Sequence, residues 1–126
     1  ASGVQLGTCL LVSKECPIHE NYKNAIINAR DNDSVVTGRI AGTPVRILKN
    51  EMSKEYVRLE KEGKDKMELE HFTLGALRKA VFDGDVNNGS LMAGQVAGGL
   101  TEIRSISEIF KSMDEEYREV IKTLQA

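Results

Sequence analysis

The sequence predicts an α/β chain that is rich in helix and short of strand, and three observations lead there. Apolar residues recur at helical spacing in several separate segments. β-Branched runs are confined to a few stretches of three or four residues. The strands are also too few to build a sheet of their own, so the fold reads as incomplete as it stands.

The elements follow in order. Val4, Leu6 and Leu10-Leu11-Val12 read as a short buried strand leading into a loop or helix. From Asn21 to Arg30, Tyr22, Ala25, Ile26 and Ala29 predict a first helix, stopped by Asp31-Asn32-Asp33. Val35-Val36-Thr37 and Val45-Arg46-Ile47-Leu48 are two extended segments separated by Gly38, Gly42 and Pro44. Glu51 to Glu62 carries Met52, Tyr56 and Leu59 on one face and reads as a helix ended by Gly63, with Lys64-Asp65-Lys66 a solvated connector. Leu74, Leu77, Val81 and Phe82 predict a further amphipathic helix ending at Gly84. Asp85 to Ser90 is a turn, and Ser90 is expected to cap a short segment through Gly98. Ser105 and Glu108 form a capping-box pattern ahead of a long amphipathic helix running to Leu124.

Composition narrows the function classes. The 126 residues hold 17 Lys and Arg against 19 Asp and Glu, with both signs scattered, which gives no basic surface for nucleic acid. A hydrophobic share of 40% with 29% charged residues describes a soluble globular chain, and no apolar run is long enough to span a bilayer. Cys9 and Cys16 form neither a disulfide framework nor a familiar zinc spacing, which fits a reducing cytoplasm and a packing role. The chain opens at Ala1-Ser2-Gly3 without a signal-peptide pattern and reads as the middle of a longer protein.

Two segments are candidates for ligand chemistry. Gln5-Leu6-Gly7-Thr8 puts a glycine and a hydroxyl at the end of the expected strand, where backbone N–H groups can hold phosphate, although such a pair is more often a plain turn. Ser90-Leu91-Met92-Ala93-Gly94-Gln95 combines small residues that permit close approach with a thioether and an amide, and close helix packing is its commoner use. His19, between Cys16 and Glu20, lies too close in sequence to them for easy tetrahedral metal ligation; no metal site is expected. His71 reads as an exposed histidine, and no catalytic residue is identified.

Several blocks resemble one family in order: Gly3 to Thr8, His19-Glu20-Asn21-Tyr22-Lys23, Pro44-Val45-Arg46 with Asn50, Thr73 to Arg78, and above all Gly84 to Gly98. They are similar to the C-terminal portion of the FMN-dependent enoyl-acyl-carrier-protein reductases and the related nitronate monooxygenases, once called 2-nitropropane dioxygenases. The resemblance implies the last strand of a TIM-type barrel over Gly3 to Gly7, followed by a helix-rich C-terminal region. A complete barrel of this kind takes ~250 residues, so the chain is expected to be a portion of one. The same resemblance implies that Gly7 and Thr8 contact the FMN phosphate with Gln5 nearby, and that Met92, Ala93, Gly94 and Gln95 border the flavin from the other side. It divides the chain into the last strand and helix (1–30), an inserted or lid-like region (31–83) and a flavin-bordering segment with the C-terminal helix (84–126). Cys9-Leu10 stand where the family often has arginine and an aromatic, and Glu20 where proline is commoner.

The expected activity of the parent protein is reduction of the 2,3-double bond of an enoyl-acyl-carrier-protein in fatty acid synthesis, with NADH or NADPH as co-substrate. The fragment alone is expected to be inactive. Its expected partners are the missing N-terminal barrel portion, which would carry the catalytic histidine, and an acyl-carrier-protein thioester or nitronate substrate; a homodimer is left open, and no nucleic acid or membrane is expected. Nitronate oxidation by FMN and oxygen is the alternative chemistry, and a non-enzymatic helical interaction module the alternative class.

Overall fold

A computed structural model describes residues 1–125. Its elements are α1 (Thr8–Leu11), α2 (Glu20–Ile27), β1 (Ser34–Thr37), β2 (Val45–Leu48), α3 (Glu51–Lys61), α4 (Lys66–Thr73), α5 (Ala76–Arg78) running into a π-helical turn (Lys79–Asp83), a 3₁₀ turn (Gln95–Gly99) and α6 (Ile106–Gln125).

The strand expected at the start is absent. Residues 1–7 have no regular structure, Val4 is 82% exposed, and Leu10 and Leu11 lie in helix α1. An extended segment is held by hydrogen bonds to a neighbouring strand, and among the described residues none lies beside it; Ser13 makes a single bridge to Arg104.

The remaining strands pair with each other. β1 and β2 run antiparallel, with Val35 opposite Ile47 and Thr37 opposite Val45. A third chain segment docks on the free edge of β2: Leu48 N–H donates to Leu91 C=O at 2.9 Å, and Ala93 N–H donates to Arg46 C=O at 3.3 Å. Successive β2 side chains therefore face opposite ways, and two small cores result. Leu48 packs with Val12, Tyr22, Ile26, Leu91 and Ala93 on one face. Ile47 packs with Met52, Tyr56, Leu69 and Ala76 on the other.

Helix α3 forms as its pattern predicts, and Asn50 fixes where it starts. The Asn50 side chain accepts from Ser53 N–H at 2.9 Å, while its amide donates to Val86 C=O at 3.0 Å and Gly89 C=O at 2.8 Å. One side chain thus caps a helix and anchors the 85–90 turn. The 64–83 stretch departs from expectation. Asp65 caps α4 in a reciprocal box with Glu68, so the supposed connector is the start of a helix. Gly75, at φ +76°, then breaks the path. The break rotates the following turn, so that Ala76 and Ala80 are buried while Leu74, Leu77 and Phe82 face out. Ser90 caps no helix; Gly94 stands at the start of the 3₁₀ turn instead.

The α6 capping box is present, with Ser105 N–H donating to the Glu108 carboxylate at 2.8 Å and Glu108 N–H to Ser105 Oγ at 3.1 Å. Ile109 is buried, but Phe110, Tyr117, Val120 and Leu124 are more than half exposed. No helix among the described residues is long and apolar enough to cross a membrane.

Candidate functional site

The two segments singled out in the sequence meet. Gly94 N–H donates to Thr8 Oγ1 at 2.8 Å, joining residues 86 positions apart. Around that contact Gly7, Thr8, Leu11, Arg46, Met92, Ala93 and Gly94 line an open recess of about 390 Å³. Gln5 and Gln95 are exposed and lie outside its lining.

Each wall is held from behind. Tyr22, on α2, donates its hydroxyl to Met92 C=O at 2.6 Å, and burial pushes that phenol up to about 12. Its own placement follows from the start of α2, where His19 Nδ1 accepts from Asn21 N–H at 3.0 Å and the Asn21 amide donates to Gly84 C=O at 3.1 Å. His19 is thus a helix cap packed against Gly84. Arg46 comes from β2 on the face shared with Leu48 and donates to Ser34 Oγ at 2.9 Å. Cys9 and Cys16 are free thiols, half-buried, and His71 is exposed on α4.

The atoms of the recess suit an anionic, phosphate-bearing group. Nothing lies within 4 Å of where a Gly7 side chain would stand, so a ligand can approach that backbone. Thr8 Oγ1 accepts from Gly94 and keeps its own O–H to donate. Arg46 brings a permanent positive charge to the rim. The apolar remainder, from Leu11, Met92 and Ala93, suits the body of an aromatic ring system.

Three residues important to this arrangement were not among the sequence candidates. Arg46 follows Pro44-Val45 in a short β-branched run, where an isolated cation carries no motif of its own. Tyr22 and Asn50 act at a distance through hydrogen bonds to Met92 C=O, Val86 C=O and Gly89 C=O, and no spacing rule exposes such partners.

Comparison with known proteins places these features in context. The nitronate monooxygenase family model matches residues 1–116. A protein from Staphylococcus saprophyticus named "Probable nitronate monooxygenase" is 35% identical over 96 residues, which are 75% of this chain and 27% of that protein. FabK from Thermotoga maritima superposes with a TM-score of 0.93 at 36% identity, covering 99% of this chain and 40% of that one. A nitroalkane oxidase from Streptomyces ansochromogenes shares the fold, with a TM-score of 0.72 at 23% identity over 95% of this chain and 34% of its own. The chain thus spans well under half the length of each of these relatives.

Proposed function

Because the chain belongs to the nitronate monooxygenase family, we propose that it forms the C-terminal wall of the FMN site of a larger oxidoreductase. The observation that carries this reading is the Thr8–Gly94 hydrogen bond, which closes one recess from the two segments that the sequence marks separately. FMN, when bound, supplies the two-electron transfer. The chain supplies position and charge. Gly7 leaves room for the phosphate, Thr8 Oγ1 donates to it, and Arg46 offsets its negative charge. Met92 and Ala93 exclude water from the flavin edge while Tyr22 holds the Met92 carbonyl in place. The partner in this reading is an upstream barrel portion that covers the open side of the recess.

The favoured activity is reduction of an enoyl thioester by a nicotinamide cofactor, as the wording of residues 73–98 and the fit to FabK over 99% of the chain both support. Nitronate oxidation is the second reading, and the family match and the S. saprophyticus relative favour it. The test is made on full-length protein, by its flavin absorbance and then by nicotinamide oxidation with crotonyl thioester beside oxygen uptake with a nitronate. Thioester-dependent nicotinamide oxidation is expected. Oxygen uptake with nitronate alone would select the monooxygenase, and a colourless protein would reject the flavoenzyme reading.

A further inference from the structure

We infer that Lys23 is a positioning residue for the phosphate end of the cofactor, acting through Ser13 on the Gly7–Thr8 wall; this rests on the flavoenzyme reading above. Lys23 lies on α2 and is only 4% exposed. Its amine donates to the Ser13 C=O at 2.7 Å, and among the described residues no carboxylate pairs with it. Lysine is seldom buried in this way without a partner charge. Packing alone does not call for it, because methionine would fill a similar space and bring no donor to satisfy.

What the amine holds leads to the recess. Ser13 is fully buried, and its Oγ donates to the Leu10 C=O at 2.8 Å. Leu10 N–H in turn donates to the Gly7 C=O at 2.9 Å. An unbroken series of hydrogen bonds thus runs from Lys23 to the glycine that lines the recess beside Thr8. Lys23 itself does not line it, so its effect is passed on through α1. The neighbouring residue, Tyr22, holds the Met92 C=O on the other wall. Consecutive residues of one helix therefore brace the two walls, Tyr22 the apolar one and Lys23 the polar one. A buried network whose members are all satisfied fixes its geometry, and an anion is held well only by donors already in place. The Lys23 series meets the recess at the polar wall proposed for the phosphate, whereas the apolar wall suited to the ring is braced by Tyr22.

The experiment titrates flavin-stripped full-length protein with FMN and, separately, with riboflavin, which has the same ring system and no phosphate, and follows the quenching of flavin fluorescence. Lys23→Met is expected to weaken FMN binding roughly 10-fold, the worth of one misaligned hydrogen bond to a charged group, and to leave riboflavin binding unchanged. Ser13→Ala breaks the second link with a smaller change of volume, and it decides the matter if Lys23→Met does not fold. Its expected loss is roughly 3- to 10-fold, again for FMN alone. Parallel losses for both flavins in a folded variant would make Lys23 a purely structural residue and overturn the proposal, as would unchanged FMN affinity. Failure of the unmodified protein to bind either flavin would instead overturn the cofactor reading. Equal affinity of the unmodified protein for the two flavins would overturn the phosphate assignment of Gly7 and Thr8, and the role of Lys23 with it.

Discussion

Thr8 and Gly94 share a hydrogen bond in which the Gly94 amide donates to the Thr8 hydroxyl at 2.8 Å, so that side chain both ties the recess together and faces what enters it. Thr8→Val keeps the shape but leaves the Gly94 N–H without its acceptor. A loss of about 1–3 kcal/mol in urea unfolding is expected. Thr8→Ser restores most of it. In full-length protein Thr8→Val should also release flavin more readily, read by its fluorescence in the filtrate.

Asn50 is expected to be among the costliest polar side chains to truncate. Asn50→Ala removes the cap of α3 and two bonds to the 85–90 turn at once. The expected loss is roughly 2–4 kcal/mol, from a cap plus the carbonyls left unpaired. Asn50→Asp keeps the cap and loses the two donated bonds, so an equal loss in both variants would show that the turn contacts carry the whole effect.

Much of this fold is legible in the sequence where the signal is local. The α6 capping box, the α3 stripe and the two short strands need only neighbouring residues to declare themselves. The 64–83 stretch fails because one left-handed glycine, Gly75, resets the helical phase, and an apolar list from Leu74 to Phe82 carries no mark of that. The strand expected over Gly3 to Gly7 does not form because strands are collective, and no neighbouring strand lies beside it among the described residues. Of the candidate site residues, Gly7, Thr8, Met92, Ala93 and Gly94 converge, whereas Gln5 and Gln95 are exposed and lie outside the lining.

Gly84→Ala tests the junction behind the site. Gly84 has φ +66°, and an added methyl group would run into the His19 ring. Both effects oppose the substitution, so a loss of about 2 kcal/mol or more is expected. His19→Ala in the same chain should relieve the clash but not the backbone cost. The double variant should then recover only part of the thermal stability.

Tyr22 gives the protein an alkaline limit. Its phenol is pushed up to about 12 in the folded chain, against 10.0 for an ordinary tyrosine. Between those values the unfolded state has released the proton and the folded state retains it, so the unfolded state binds fewer protons and stability falls as pH rises. The drop attributable to this residue is on the order of 2 kcal/mol and is complete once pH passes the folded value. Tyr22→Phe should remove that part of the decline, seen as the difference between the two denaturation profiles from pH 9 to pH 12.

The 86-residue separation across the Thr8–Gly94 bond also orders events in time. Closing a loop of that length costs about 4 kcal/mol of chain entropy beyond the constant term, before either wall gains anything from the other. Capped helices and the hairpin form from near neighbours and need not wait. The recess is thus among the last features to appear as the chain folds. A cofactor that binds there would report completion of the fold rather than template it, and added flavin should slow unfolding while leaving the refolding rate nearly unchanged.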